Sequence, residues 1–382
     1  MIRIATVIGA RPQIIKASAL SREIHNSFSN KIEEIIIHTG QHYDDNMSEV
    51  FFREMQVPKP KYNLNVGSAS HGVQTARMIE GLETIFVNER PDFVVLYGDT
   101  NSTLAGAIAA SKIHIPVAHI EAGLRSFNKS MPEEINRILC DHVATLLFSP
   151  TATGFHNLIS EGFKPDPLPP YSNDNPKIYH CGDVMYDNSR YFQKIAEKHS
   201  NTLKQYELLE NEFVLVTIHR DNNTDIPERL NALFASIIQL SEETGLKFIL
   251  PLHPRTSKLL SQNLYPDIYL QLNQCSNIII IPPATFFDMI VLESHCKMVM
   301  TDSGGVQKEA FFFRKPVIIM RPETEWVEIV DCGAGKIVDA NETRIKEAFH
   351  HYLQVRNIDF PALFGDGHAA HFICNEILNT AR

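Results

Sequence analysis

Short apolar runs rich in β-branched residues alternate along this chain of 382 residues with longer amphipathic stretches. The first group of predicted strands comprises Ile2–Ile8, Glu34–His38, Phe93–Tyr97, Val117–Ile120 and Leu146–Ser149. The second group comprises Val214–Ile218, Phe248–Leu252, Ile278–Ile281, Met298–Thr301 and Val317–Met320. Strands that alternate with helices form right-handed βαβ units with a parallel sheet. The pattern therefore predicts an α/β protein built from two doubly wound halves.

A proline-rich segment at residues 165–176 interrupts this alternation. Its prolines make it stiff and unable to continue a helix or a strand. We place the domain boundary beside it, so that residues 1–172 form an N-terminal Rossmann-like domain and residues 173–365 a C-terminal one. Ligands of such sheets bind at the carboxyl ends of the strands, and a cleft between the halves is the expected active site.

Composition excludes several classes of protein. The net charge of −10 argues against non-specific nucleic-acid binding, which needs a basic field. The six cysteines include no CxxC pair, which argues against a zinc site or a disulfide framework. The N-terminus lacks the layout of a signal peptide, and no run approaches the ~20 apolar residues that cross a bilayer. We expect a cytoplasmic protein without a membrane partner.

The Met298–Thr301 strand leads into Ser303, Gly304 and Gly305, and a helix-compatible run follows. A strand that feeds a helix through such a turn presents free backbone N–H groups and a positive dipole end to an anion. Glu309 would lie in the second helical turn, within reach of a sugar hydroxyl attached to a bound phosphate. The alternative is a tight strand–helix turn that binds nothing.

Cationic side chains follow other predicted strands: Arg11 and Lys16 after the first, His219 after the first of the second half, then His253 and Arg255. Arginine can hold phosphate through two hydrogen bonds, and histidine can donate to phosphate or to a leaving group. The turn after the first strand lacks GxGxxG, which disfavours a nicotinamide enzyme. Ordinary surface or core roles are the alternatives for each residue.

An apolar set precedes the Met298–Thr301 strand. Pro283, Phe286 and Met289, with Asp288 among them, could form the wall of a base pocket. Packing in the core is the other interpretation of this set.

Acidic residues follow strands of the first half. Asp99 ends the Phe93–Tyr97 segment, where it could instead cap the next helix. Glu121 follows the Val117–Ile120 strand, and its structural alternative is a buried pair with Arg125. Both are candidates for acid–base chemistry, because carboxylates at neighbouring strand ends meet at one edge of a sheet.

Glu133 and Arg137 are four residues apart on one face of a predicted helix. Glu133 could also form a capping box with Ser130. Three acids in the first half and phosphate donors in the second suggest proton transfer on a group attached to a diphosphate.

Seven segments together resemble the non-hydrolysing UDP-N-acetylglucosamine 2-epimerase family: GARPQIIK, HTGQHYD, YGDTNST, HIEAGLRS, MPEEINR, TIHR and TDSGGVQKEA. They occur in order over most of the chain. The resemblance implies the GT-B architecture, in which two Rossmann-like domains face a cleft. It also implies a last helix that crosses back to the first domain, at residues 366–382.

A closer similarity is to the subgroup that acts on UDP-2,3-diacetamido-2,3-dideoxy-D-glucuronate and gives the manno epimer used in bacterial O-antigen. It is carried by GARPQ, SFNKSMPEEINR, GDVMYD, LHPRT and ETEWVE. One departure from the family is Asn222, which stands where its HRxEN motif has glutamate. A sugar carboxylate would need an extra cation, for which the candidates are Arg125, Lys129, Arg255 and Arg321.

The resemblance implies reversible elimination of UDP, with proton exchange at C2 by Asp99, Glu121 and Glu133. Arg11, His219 and the amides of residues 303–305 would stabilise the diphosphate, and Glu309 would bind the ribose. Lys16 and Arg137 would hold the sugar or tune the acids. We expect a homodimer whose ligands are a UDP-sugar and UDP, with no metal or nicotinamide cofactor.

Alternatives of other kinds remain open at this point. UDP-N-acetylglucosamine could be the substrate, giving UDP-N-acetylmannosamine. A GT-B glycosyltransferase would share the fold and the UDP site but would need an acceptor. A hydrolysing epimerase would release free N-acetylmannosamine. A UDP-sugar sensor would bind without turnover.

Overall fold

The computed structural model describes residues 1–41, 52, 54–252 and 254–381. These residues form two compact units. The first comprises Met1–Asn188 together with the chain from Ala362 onward, and the second comprises Ser189–Pro361. No helix of the described part combines the length and apolar character needed to cross a membrane.

In the described part, the first unit contains one parallel sheet in the order β3-β2-β1-β4-β5-β6-β7. The strands are β1 (Ile2–Ile8), β2 (Ile32–His38), β3 (Tyr62–Asn63), β4 (Phe93–Tyr97), β5 (Val117–Ile120), β6 (Leu146–Ser149) and β7 (Lys177–His180). The helices between them are α1 (Arg11–Glu23), α2 (His71–Glu89), α3 (Asn101–Lys112), α4 (Pro132–Val143) and α5 (Ala152–Ser160).

The central strands of this sheet are apolar because helices cover both of its faces. Every residue of β4 is buried. Helix α3 lies close to the sheet because it is rich in small residues: a Cβ at Gly106 would lie 2.6 Å from Leu96 Cδ2. Helix α2 contributes Met78, Leu82 and Phe86 to the same core.

Helix α6 (Val184–His199) leads the chain from the first unit into the second. The second unit's parallel sheet has the described order β10-β9-β8-β11-β12-β13. Its strands are β8 (Phe213–Thr217), β9 (Lys247–Pro251), β10 (Ile278–Ile281), β11 (Met298–Thr301), β12 (Val317–Ile319) and β13 (Gly335–Ile337).

The helices of the second unit cover this sheet. They are α7 (Thr202–Gln205), α8 (Asp221–Thr224), α9 (Pro227–Thr244), α10 (Pro254–Asn263), α11 (Pro266–Gln274), α12 (Phe286–His295), α13 (Gly304–Phe312), α14 (Val327–Asp331) and α15 (Glu342–Gln354). Stacked rings of Phe248 and Phe349, with centroids 5.7 Å apart, join β9 to α15 within the core.

The strand order reverses between β1 and β4 in the first sheet and between β8 and β11 in the second. Loops leave such a point in opposite directions, which opens a crevice at the carboxyl ends of the two strands. The turns at these positions begin at Gly9 and Gly98 in the first unit and at Ile218 and Asp302 in the second. They are the places where each unit is most suited to bind a ligand.

The domain boundary differs from the one placed at residues 172 and 173. The proline-rich segment connects α5 to β7, and β7 pairs with β6, so the segment lies inside the first unit. The chain passes to the second unit only after Asn188. Helix α16 (Ala369–Thr380) belongs to the first unit, where His371 Nδ1 lies 2.8 Å from Glu23 Oε1 of α1.

Candidate functional site

Four charged side chains form a cluster at the switch point of the first sheet. The Lys16 ammonium contacts the Glu121 carboxylate. Arg137 Nη2 lies 2.6 Å from Asp99 Oδ2 and 4.0 Å from Glu121 Oε2. Burial disfavours the charged guanidinium, but Asp99 and Glu121 outweigh that effect and raise the pKa of Arg137. The structure thus brings together two predicted acids and two predicted cations, and Lys16 is not an ordinary surface lysine.

The backbone under this cluster adopts left-handed conformations. Gly98 has φ +65° and Glu121 has φ +73°. A side chain on a left-handed residue costs about 1–3 kcal/mol, which surrounding contacts must hold in place. A Cβ at Gly98 would lie 3.0 Å from Glu121 Oε2 and 3.1 Å from Lys16 Nζ. Glycine at position 98 therefore lets the turn after β4 pass close to the Lys16–Glu121 ion pair.

Gln13, which the sequence did not single out, joins the two turns of the first switch point. Its buried amide oxygen accepts from the backbone N–H of Gly9 at 2.9 Å, and its Nε2 donates to the Tyr97 carbonyl at 3.0 Å. Gly9 itself has no room for a side chain, because a Cβ there would lie 2.1 Å from Thr39 Oγ1. Arg11 is exposed at the first position of α1.

Asp99 does not cap helix α3. The N-cap is Thr100, whose side chain accepts from the Thr103 N–H. Asn136 of α4 donates to the Asp99 carbonyl at 2.9 Å and so fixes the turn from the other side. The Asp99 carboxylate is therefore available for the Arg137 contact.

Glu133 lies exposed in the first turn of α4. The structural alternative for Glu133, a capping box with Ser130, does not form, since the N-cap is Met131 and no side chain caps it. Glu134 instead reaches back and accepts from the Phe127 N–H at 3.0 Å. Within the described residues, Glu133 has no side-chain hydrogen bond or ion pair, although it shares its helix with Arg137.

Arg125 does not pair with Glu121. Its guanidinium lies 2.8 Å from Asp141 Oδ2 and 2.7 Å from Glu161 Oε1, and its side chain is 1% exposed. A buried arginine that two carboxylates already bind cannot serve a sugar carboxylate without losing them. The sequence could not show this pairing, because Asp141 lies in α4 and Glu161 follows α5, so neither is next to Arg125 along the chain.

In the second unit, the turn after β8 carries a histidine–aspartate pair. His219 Nδ1 lies 2.9 Å from Oδ1 of the fully buried Asp302. Asp302 also accepts from the backbone N–H groups of His219 and Arg220, each at 3.1 Å, and from Asn223 Nδ2. Burial alone would raise the pKa of Asp302, but the hydrogen bond from His219 helps to lower it. Because Nδ1 donates to Asp302, Nε2 is the ring nitrogen left to face a ligand.

The predicted glycine turn is the start of α13. Ser303 is its N-cap, and Gly304 and Gly305 are its first two residues. Trp326 Nε1 donates to the Gly304 carbonyl at 2.9 Å, and the Lys308 ammonium lies 4.4 Å from the Trp326 ring centroid. The first N–H groups of such a helix have no partner within the helix and suit an anion.

Arg321 and Glu325 lie beside this turn. The guanidinium donates to both carboxylate oxygens, each at 3.0 Å. A Cβ at Gly304 would lie 3.3 Å from Glu325 Oε2 and 3.7 Å from Arg321 Nη1. The pair therefore forms one wall of the space around Gly304.

A cavity of about 420 Å³ opens at the carboxyl ends of β8 and β9. It is lined by Thr217, Ile218, His219, Pro251, Arg255, Thr256, Pro283, Ala284 and Met289. Met289 and Pro283 thus lie where the sequence suggested a pocket wall. Arg255 lies at the cavity with its guanidinium 2.6 Å from Asp221 Oδ1, while His253 falls outside the described residues.

Phe286 and Asp288, the other two residues of that segment, have structural roles. Phe286 packs against Phe192 with ring centroids 5.4 Å apart. Asp288 accepts from the hydroxyls of Ser200 and Thr202, each at 2.6 Å. Phe286 is half-buried, so its ring contacts the core through Phe192 without being part of it.

Glu309 is half-buried on α13 and faces Glu293 of α12, which the sequence analysis did not identify. Burial and the nearby Glu309 carboxylate raise the pKa of Glu293 well above its usual range. A protonated carboxyl can donate to a neighbouring carboxylate. Glu293 is therefore suited to hold the Glu309 side chain in one orientation.

Two Rossmann-type units in one chain, each with polar residues at its switch point, define an α/β protein of the GT-B class. Residues 24–378 match the sequence model of the family described as UDP-N-acetylglucosamine 2-epimerase. The chain belongs to this family of UDP-sugar 2-epimerases, which are isomerases acting on carbohydrates. The family resemblance inferred from the motifs is confirmed.

Similar proteins differ in the sugar that their names carry. The chain is 44% identical over 368 residues to the UDP-2,3-diacetamido-2,3-dideoxy-D-glucuronate 2-epimerase of Pseudomonas aeruginosa, covering 96% of this chain and 97% of that one. It is 43% identical over 378 residues to a UDP-N-acetylglucosamine 2-epimerase homolog of Methanococcus maripaludis, covering 99% of both. The Methanocaldococcus jannaschii UDP-GlcNAc 2-epimerase, solved with UDP-GlcNAc and UDP, superposes with a TM-score of 0.83 at 38% identity, covering 99% of both chains.

Proposed function

We propose that this protein inverts C2 of a UDP-2-acetamido sugar without hydrolysis, by eliminating UDP and adding it back. The observation that carries the proposal is the cluster at the first switch point, where Asp99 and Glu121 lie with Lys16 and Arg137. Inversion needs groups that take and return a proton on two faces of one carbon, and a pair of positioned carboxylates can supply them.

The proposed reaction is an elimination of UDP from the sugar, followed by addition of UDP to the resulting double bond. A carboxylate removes the C2 proton, the C–H electron pair becomes the C1=C2 bond, and the C1–O bond breaks so that UDP leaves with its bonding pair. Return of a proton to the opposite face of C2, with UDP attacking C1, gives the epimer. Asp99 and Glu121 are the proposed acid–base groups, and we keep exposed Glu133 as a third candidate on the helix of Arg137.

The second unit is proposed to hold UDP and stabilise its leaving charge. His219 Nε2 and the amides of Gly304 and Gly305 would donate to the diphosphate. The Ser303 N–H already donates to Thr301 Oγ1 at 2.9 Å, so Ser303 would contribute as the N-cap that positions these amides. Glu309 would bind the ribose hydroxyls, and the cavity beside Met289 would take the base. The remaining proposed contacts to the substrate come from cationic residues: Arg11, His253, Arg255 and Arg321.

For the sugar, we propose UDP-2,3-diacetamido-2,3-dideoxy-D-glucuronate, with a role in bacterial O-antigen synthesis. The Pseudomonas aeruginosa relative and the ETEWVE segment support it. UDP-N-acetylglucosamine is the second candidate, supported by the Methanococcus maripaludis relative. Of the cations considered for a sugar carboxylate, Arg125 is already bound by the buried Asp141 and by Glu161, whereas Lys129 is exposed near the start of α4. The homodimer and the cytoplasmic location stay predictions.

Turnover in D2O tests both the chemistry and the sugar. The protein is given each UDP-sugar separately, without an acceptor, and the products are followed by proton NMR. We expect the manno epimer of the diacetamido uronate with deuterium at C2, formed at least about tenfold faster (kcat/KM) than that of UDP-N-acetylglucosamine. The reverse preference would establish the second candidate. Product without deuterium at C2 would exclude proton exchange, and release of free sugar would indicate a hydrolysing enzyme.

UDP binding is expected to change the fluorescence of Trp326, the single tryptophan of the chain. The indole touches the Gly304 carbonyl and the Lys308 ammonium, so a diphosphate at the turn alters the field on the ring. Titration with UDP should give a saturable change, and uridine, which lacks the diphosphate, should give a weaker one. His219→Asn should weaken the UDP affinity about tenfold. An equal response to uridine and UDP would place the diphosphate elsewhere.

A further inference from the structure

A fully buried imidazole lies beneath the two turns that carry the acids. His119 of β5 has Nδ1 2.6 Å from Asp141 Oδ1 and Nε2 2.8 Å from the Gly98 carbonyl oxygen. A carbonyl can only accept, and Asp141, which also binds Arg125, is an ionised acceptor. Both ring nitrogens must therefore carry a proton, which makes His119 an imidazolium.

Asp141 connects this ring to the second turn. Its other oxygen accepts from the Gly123 N–H at 3.1 Å and lies 2.8 Å from Arg125 Nη2. Gly98 immediately precedes Asp99, and Gly123 follows Glu121 by two residues. One carboxylate of α4 thus holds both acid-bearing turns, each of which has left-handed backbone that needs such support.

We propose that His119, as an imidazolium held by Asp141, is a positioning residue that fixes Asp99 and Glu121 for proton exchange at C2. The proposal rests on the function proposed above for these two acids. Cys140 is a further titratable group beside the ring, and Arg125 and Arg137 act on Asp141. Burial opposes the charged ring, but Cys140 and Asp141 outweigh it and raise the pKa of His119 to about 10.

Nitrogen NMR of the imidazole side chains tests the charge without reference to catalysis. In the unaltered protein, one buried histidine, assigned by its loss in His119→Gln, is expected to keep both ring nitrogens protonated between about pH 6 and 9. A neutral ring at pH 7.5 would overturn the proposal. Should the variant fail to fold, through-space contacts of the carbon-bound ring protons with Asp141 and Gly98 give the assignment in the unaltered protein, whatever the charge of the ring.

Two variants of the same residue test positioning. The longer amide of His119→Gln can donate to Gly98 in place of Nε2, whereas that of His119→Asn lies nearer Asp141. We expect kcat to fall about 100-fold in His119→Asn and about tenfold in His119→Gln, with KM and the Kd of UDP changed less than about threefold. His156→Gln, at an exposed histidine of α5, is the control.

The outcomes separate the two proposals. If both His119 variants keep kcat within about threefold of the unaltered protein, positioning by His119 is wrong, whatever the sugar. If the unaltered protein does not epimerise UDP-sugars, the proposed function fails. If Glu121→Gln is fully active, only the acid–base role proposed for Glu121 fails. In both cases the charge on His119 still stands or falls by NMR. A loss in KM with unchanged kcat would also contradict a positioning role.

Discussion

Replacing Glu121 by glutamine is expected to lower kcat by about 10²- to 10⁴-fold while KM changes little. The amide keeps the shape of the side chain beside Lys16 but cannot accept the C2 proton. Initial rates of epimer formation, followed by NMR, measure the loss. Deuterium exchange at C2 should fall by the same factor, because both readouts depend on one proton transfer.

The matched control is Glu33→Gln. Glu33 also bears an ion pair, with its Oε2 3.0 Å from Arg3 Nε, but it lies near the start of β2, whereas Glu121 follows the carboxyl end of β5 in the same parallel sheet. We expect its kcat within about twofold of the unaltered protein. If Glu121→Gln retains as much activity as Glu33→Gln, the carboxylate at residue 121 does not carry the proton.

Gly123→Ala should destabilise the first unit by about 3 kcal/mol or more. The residue has φ +79°, and an added Cβ would lie 2.2 Å from the carbonyl oxygen of Gly154 and 2.8 Å from its carbon. Both contacts are to helix backbone, which cannot move aside as a flexible side chain can. Thermal and urea unfolding, followed by circular dichroism, measure the loss.

Gly67→Ala separates the cost of a side chain on left-handed backbone from the cost of the steric clash with Gly154. Gly67 has φ +68° in the same unit, but a Cβ there meets no atom of the described residues within 4 Å. Its cost should be that of the left-handed backbone alone, about 1 kcal/mol. Midpoints of the two variants within about 2 °C of each other would show that the Gly123 turn can relax away from Gly154.

The buried strands could be predicted from sequence because helices cover both faces of each sheet, which makes the strand a continuous apolar run. β1, β4, β5, β6 and β11 have the predicted bounds, as does β10, an edge strand whose four residues are all isoleucine. The strands β3, β7 and β13 were not predicted, and they are edge strands of two to four residues. Their pairing depends on the neighbouring strand rather than on their own composition.

The candidate site was likewise predictable from the sequence only in part. Asp99, Glu121, His219 and Ser303 lie at strand ends, as the alternating pattern predicted, although their roles stay predictions. The partners of these residues were not predictable, because Lys16 and Glu121 are separated by 105 residues and Arg125 pairs with two carboxylates from other elements. Buried polar residues such as Gln13 and His119 carry no motif of their own, and only their hydrogen bonds identify them.

The return of α16 to the first unit affects the order in which the chain can fold during synthesis. Ser189–Pro361 is one continuous stretch, so the second unit can fold as soon as that stretch has left the ribosome. The acid-bearing unit must wait for Ala369–Thr380, whose start is held where Asp187 accepts from the Ala370 N–H at 2.8 Å. A truncation that removes this helix therefore exposes apolar surface on the unit that is translated first.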